Sequence, residues 1–310
     1  MKKTFYYIAL AIITLSLASC AKEAVTPEQP VTPEPTGLIT IVANIGDDAS
    51  TKTTLSGDDQ SGYDILWSEG DQIKFYGGES VKEYFTYTLT EGAGTKSGMF
   101  TGPAVPESID PTKYATYGDN LTFGYVGILA EEQYYAPNNA AFSFPMAAKI
   151  SVSNGEVILD DFKNIGGLLR LDLKGSGTVK EIKISANQPL SGGPIRIGED
   201  GGATFDNVEG FSHKYVTLNC GAAGIDLSSK AVSFYISLLK NDYTGVKIEV
   251  SDFDGNKFTK TLKAGKSLNI ARSQITSVAF TVTGLNTSSN QLVDFQDLSD
   301  GGELPEEDWQ

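Results

Sequence analysis

From residue 38 to residue 282 the apolar residues come in short runs that alternate or stay apolar briefly and are then broken by Gly, Asn or Asp. An amphipathic helix needs apolar positions at i, i+3, i+4 and i+7 sustained over several turns, and no stretch of this chain keeps that spacing. Short strands joined by tight turns are what such a pattern permits, so the chain reads as all-β. Ile39, Ile41, Ala43 and Ile45 fall on one face of a first strand. Runs at 65–67, 72–76 and 84–89 follow, with Gly70-Asp71 and Gly77-Gly78 as turn signals. Two hairpins are expected from their turn chemistry. Residues 149–153 and 156–160 flank Asn154-Gly155, and residues 246–252 and 256–262 flank Asp254-Gly255, each read as a two-residue turn. The last regular strand is read at 275–282.

A break near residues 154–162 divides this body into two parts of similar length, 37–155 and 156–283, each long enough to enclose a sandwich core. Two tandem β-sandwich domains are therefore expected. Residues 284–310 are rich in Ser, Asn, Asp and Glu, with isolated Leu292, Val293, Phe295 and Trp309, and read as an acidic tail.

The other end carries an export signal. Lys2 and Lys3 precede an apolar run at 5–17 that is too short to span a bilayer as a helix. It ends in Leu17-Ala18-Ser19-Cys20, the lipobox pattern, in which the cysteine thiol takes the lipid and its amine becomes the new N-terminus. Cleavage after residue 19 leaves 291 of 310 residues and, by removing Lys2 and Lys3, takes the net charge from −15 to −17. A lipoprotein anchor inserts two or three acyl chains, enough for stable attachment without a transmembrane helix. Residues 20–36 hold prolines at 27, 30, 33 and 35 and read as an extended tether. So acidic a chain is not expected to seek nucleic acid. With Cys20 acylated, Cys220 has no partner for an internal disulfide and reads as a buried small hydrophobe.

Catalytic chemistry finds little support. His213 is the one histidine and Cys220 the one remaining thiol, too few for a zinc site or for a nucleophile with its base and orienting group. Asp252, Asp254 and Asn256 mimic the start of a calcium loop, but Lys257 stands where the loop glycine belongs. Ser191-Gly192-Gly193 and Gly201-Gly202 lack the strand and helix of a phosphate-binding loop and read as turns. Tyr134-Tyr135 and the set Tyr84, Phe85 and Tyr87 offer a sugar-stacking platform, against the commoner reading as core or cross-strand pairs. No enzyme activity, cofactor or metal is expected; abundant carboxylates leave a glycoside hydrolase as a formal third reading with no pair singled out.

Several stretches together resemble the fimbrillin family, in particular its Mfa-like and FimA-like lipoproteins. They are the lipobox at Cys20, residues 51–55, Ile65-Leu66-Trp67 leading as a strand into residues 69–73, Phe144-Pro145-Met146-Ala147-Ala148, and residues 162–170. The resemblance implies two transthyretin-like sandwiches, export to the outer membrane as a lipoprotein, and use as a fimbrial or related surface subunit. It also implies assembly with other subunits by strand exchange after a protease cuts a loop behind the first strand. Lys52 occupies the position where the family commonly has Arg; Arg occurs here only at 170, 196 and 272. The donor implied by the resemblance is C-terminal, and residues 291–298 are the candidate, with Val293 and Phe295 alternating. The alternative is a monomeric surface lipoprotein that binds a glycan or protein ligand of a host or bacterial surface.

Overall fold

The computed structural model describes residues 37–46, 56–58, 62–76, 84–104, 114–118, 121–122, 128–136, 145–153, 156–206, 212–283, 285 and 289–293. Strands dominate, and among the described residues there is no helix. An eight-stranded sheet runs in the order 38–44, 97–103, 84–91, 72–76, 114–117, 146–153 and 156–159, with the short strand 163–164 also paired to 146–153. A six-stranded sheet runs 132–134, 215–219, 181–185, 247–251, 257–262 and 289–293, and a three-stranded sheet runs 232–238, 167–175 and 275–282.

Each sheet buries what its alternation predicts. Strand Gly167–Gly175 puts Leu169, Leu171 and Leu173 into a core shared with Ile182, Ile184, Val216, Leu218, Ile248 and Val250 of the six-stranded sheet. Two sheets packed face to face over such a core form a sandwich. The three-stranded layer also serves the first core, because Leu168 and Tyr235 belong to the cluster built by the eight-stranded sheet. A smaller cluster of Leu129, Ala147, Ile165, Ile195, Ala203 and Leu239 lies under the hairpin 195–205. The described residues accordingly cluster as one compact unit.

Strands 72–76 and 275–282 stand where the sequence puts them, and Ile41, Ala43 and Ile45 are buried as their alternation requires. The hairpin 146–159 pairs Ser153 with Glu156, the register of a two-residue connection, while Asn154 and Gly155 lie outside the described residues, as do Gly77 and Gly78.

Other elements differ from the sequence reading. Residues 65–67 are not a strand: Trp67 N donates to Thr95 O and Trp67 O accepts from Gly94 N, so this backbone is bound to a turn instead of a ladder. The second hairpin closes over three residues, not two. Asp252 N donates to Asn256 O, and Gly255 takes a φ of 83°, the left-handed residue that ends a three-residue hairpin loop. The change from one sheet to the next comes between Asn164 and Gly167, so the whole 146–159 hairpin stays with the first sheet. Strand Glu132–Tyr134, by contrast, crosses ahead of its neighbours into the six-stranded sheet, parallel to 215–219. Gln133 holds it there: its fully buried amide donates to Ser237 O at 3.0 Å and accepts from Ser237 N at 2.8 Å. The tail returns too, as strand Ser289–Val293 parallel to Lys257–Leu262.

Candidate functional site

The first strand, Leu38–Asn44, forms one end of the eight-stranded sheet and pairs antiparallel with Ser97–Pro103 through seven registered residues, from Leu38 opposite Pro103 to Asn44 opposite Ser97. Its alternation splits cleanly: Ile41 and Ala43 point inward, while Leu38, Thr40 and Val42 point out. Facing it, strand 97–103 turns Gly98, Phe100 and Gly102 inward. The two glycines leave slots, and aromatic rings occupy them. A Cβ on Gly98 would lie 2.9 Å from Trp67 Cδ1 and 2.6 Å from Leu89 Cδ1, and one on Gly102 would lie 2.6 Å from Tyr87 Cδ1.

Trp67 is the keystone of this arrangement. Its ring meets Phe100, Tyr117 and Phe162 edge to face with centroids 4.9, 5.4 and 5.6 Å apart. Its Nε1 donates to the Ala43 carbonyl at 3.1 Å, so the indole grips the backbone of the first strand directly. The Asp71 turn positions the indole from below. Ser68 N donates to Asp71 Oδ2 at 2.6 Å, Tyr117 OH donates to Asp71 Oδ1 at 2.9 Å, and Gly70 takes a φ of 83°.

The outer edge of the first strand is paired at one end only among the described residues. Phe162 N donates to Asn44 O at 2.7 Å and Gly46 N donates to Phe162 O at 3.0 Å. An edge of this kind presents backbone groups that another strand can use. Lys52, the candidate processing residue, lies outside the described residues, and so does Cys20. Of the candidate donor 291–298, residues 291–293 are already paired to strand 257–262 of the same chain, and 294–298 lie outside the described residues.

The residues considered for chemistry are dispersed. Cys220 is buried in the second core, and that burial, with the Glu181 carboxylate adding to it, pushes its thiol up to about 12, which removes it as a nucleophile at neutral pH. His213 stands at the other end of strand 215–219, its Nε2 3.3 Å from Glu131 Oε2. Tyr215 OH donates to the other oxygen of Glu131, and Lys183 Nζ sits 4.0 Å over the Tyr215 ring, an exposed cluster of ordinary cross-strand contacts. Asp252 accepts at 2.9 Å from Asp254 N, Asn256 N and Asn256 Nδ2, bonds that close the hairpin and hold its carboxyl below the usual range. Among the described residues no group of three His, Cys, Asp or Glu is placed to hold a metal. The aromatic sets do not form a platform: Tyr87 is buried against Phe75 and Tyr135 packs against Phe234, while Tyr84 and Tyr134 stand apart on different sheets. Gly192 and Gly201 sit in turns with φ of 77° and 85°.

No family of known proteins matches this sequence, and no curated protein matches it. Several solved structures are similar. One is a candidate cell adhesion protein of Bacteroides ovatus, at 14% identity and a TM-score of 0.42, covering 79% of this chain and 91% of that one. Another candidate cell adhesion protein, from Bacteroides uniformis, gives 15% identity and a TM-score of 0.40 over 79% of this chain and 94% of its own. The tip fimbrial protein Mfa3 of Porphyromonas gingivalis, truncated at its C-terminus, gives 9% identity and a TM-score of 0.30 over 80% and 95%.

Proposed function

We propose that this chain is a structural or adhesive subunit of cell-surface fimbriae, exported to the outer membrane by acylation of Cys20 and carried on the tether 20–36. In this reading the body is two tandem transthyretin-like sandwiches that act without catalysis or cofactor and associate with further subunits. The observation that carries it is the first strand: a core-closing edge strand held through seven registered pairs, whose inner face lies over Gly98 and Trp67. Cutting after Lys52, in the polar segment that follows, frees the strand and tether. A neighbouring subunit's strand then restores the lost backbone bonds and apolar contacts, and head-to-tail repetition of that step gives a filament.

Two features favour the alternative, a monomeric surface lipoprotein with a glycan or protein ligand. Phe162 ties the end of the first strand, and the C-terminal strand 289–293 already occupies an edge of its own chain. The N-terminal sequence of protein recovered from cell surfaces separates the two. Assembly predicts a start after Lys52 and ladders that resist mild denaturant; Lys52→Ala abolishes both, and deletion of 284–310 abolishes ladders alone. A start at Cys20 without ladders assigns the chain to the alternative, and ladders that persist in both variants overturn strand exchange. Cys20→Ala is expected to release the protein from the membrane fraction.

A further inference from the structure

The chain is acidic and contains three arginines, yet Arg196 and Arg272 line one cleft together with Lys240. The cleft, about 560 Å³, opens between the hairpin 195–205 and the strand pair 241–244 with 267–270. That volume lies in the range of small-ligand sites. Arg272 is fixed by its Nη1, which donates to Asp200 O at 2.9 Å and to Asn164 O at 3.4 Å; among the described residues its Nε and Nη2 have no partner. Lys240 is exposed and has no ion-pair partner among the described residues. Arg196, at the rim, is paired with Asp206 at 3.0 Å. Arg272 Nε and Nη2 and the Lys240 ammonium are thus left without an ion-pair partner among the described residues, although Asp200 and Asp242 line the same cleft.

The remaining polar wall narrows the ligand. Asn269 Nδ2 donates to Asp242 Oδ1 at 2.6 Å, and Asp200 Oδ1 accepts from Gly202 N at 3.0 Å, so two carboxylates and an amide stand beside the cations as oriented acceptors and donors. A polyanionic peptide meets repulsion from Asp200, Asp242 and the chain's charge of −15. A sugar bearing one carboxylate meets less of that repulsion: its single charge pairs with Arg272 and Lys240, and its hydroxyls, each both donor and acceptor, suit Asn269, Asp242 and Asp200. On the other side of loop 198–202, a neighbouring cleft of about 450 Å³ sets Asp160, Asp161 and Glu199 against Lys149 and Lys163, a balance that favours such a ligand less.

We infer that the cleft at Lys240 and Arg272 is a binding site for a carboxylate-bearing saccharide. The inference rests on the adhesive reading above and deepens it by naming a site and a ligand class. Calorimetry with the mature protein compares sialyllactose, neutral lactose, acetate and oligoglutamate. Binding of sialyllactose at least tenfold tighter than of lactose or acetate is expected, with loss of at least tenfold in both Lys240→Gln and Arg272→Gln. Lys240→Gln keeps the test valid if Arg272→Gln disturbs the loop it anchors. No binding of sialyllactose, equal binding of lactose or oligoglutamate, or unchanged affinity in Lys240→Gln overturns the inference. Attachment of the wild type to sialylated cells, measured in parallel, separates the two levels. Attachment that survives Lys240→Gln sinks the cleft and spares the adhesive reading, whereas a wild type that attaches to no surface and binds no saccharide sinks both.

Discussion

Among the described residues, the first core draws seven of its eighteen buried residues from aromatics, while the second draws four of twenty-seven. The difference follows from how each is closed. The second core lies between two facing sheets, where Leu, Ile and Val from alternating positions interdigitate, and no single side chain is asked to fill much space. The first is closed by a thin edge, Ala43 opposite Gly98 and Ile39 opposite Gly102, and whole rings must occupy the room those small residues leave. Stability in the second core is therefore spread over many methyl groups, and in the first it is concentrated in a few keyed contacts at the strand proposed to exchange.

The largest expected effect tests that contrast directly. Trp67→Ala removes a ring in contact with Phe100, Tyr117 and Phe162 and breaks the bond to Ala43 O, so it should cost about 3–5 kcal/mol. Ile248→Val, in the middle of the second core, should cost about 0.5–1.5 kcal/mol. Urea unfolding of the mature protein measures both, and equal costs would break the comparison. Gly98→Ala probes the slot from the other side. Its Cβ meets Leu89, Phe100 and Trp67 at 2.6–2.9 Å, and overpacking of about 1–3 kcal/mol is expected, with the indole fluorescence displaced; a neutral result would mean that the slot is slack. Gln133→Leu tests the clip joining strand 132–134 to the second sandwich. It removes both bonds to the buried Ser237 backbone and should cost about 1–3 kcal/mol, read by faster hydrogen exchange at Ser237; unchanged protection there would deny the clip its role.

These residues also mark where the sequence was readable. Alternation places strands 72–76 and 275–282 and the inward face of the first strand, because each depends only on local spacing and a buried side. Residues 65–67 have the composition of a strand, but their backbone partners are the 92–95 turn, a tertiary fact that no local pattern carries. The crossing of strand 132–134 depends on Gln133 meeting Ser237 across 104 residues, and a lone Gln between Glu and Tyr looks like surface. The parallel return of 289–293 is hidden as well: Leu292 and Val293 are its only apolar residues, too short a pattern to announce a strand. Gly98 and Gly102 around Phe100 were the available signal for the slot, since two glycines on one face of a strand announce that something large lies against it. The cleft at Lys240 and Arg272 gave no such signal, because its residues come from three separate stretches that only the packed sheets bring together.

The smallest effect separates the keyed contacts by pH. Tyr87 lies over Gly102 with its ring 4.6 Å from Phe75, and its hydroxyl donates to Pro103 O at 2.5 Å. Burial pushes this phenol from 10.0 up to about 12. The unfolded chain therefore ionises Tyr87 first, so between pH 10 and 12 the folded state binds more protons than the unfolded one and stability falls as pH rises. At neutral pH both states are protonated, and Tyr87→Phe loses only the bond to Pro103 O, about 0.5–1.5 kcal/mol. Above pH 10 the variant has no phenol at this position to ionise, so its stability should decline less steeply than that of the wild type. Cys220 and Tyr243, whose burial also raises them, remain in both proteins and supply the same background. The gap between variant and wild type should thus narrow from pH 10 to 12 in urea titrations at fixed ionic strength. A gap that stays constant across that range would mean that the Tyr87 phenol is not held in the slot, and that the first core is less keyed to its rings than the packing over Gly102 requires.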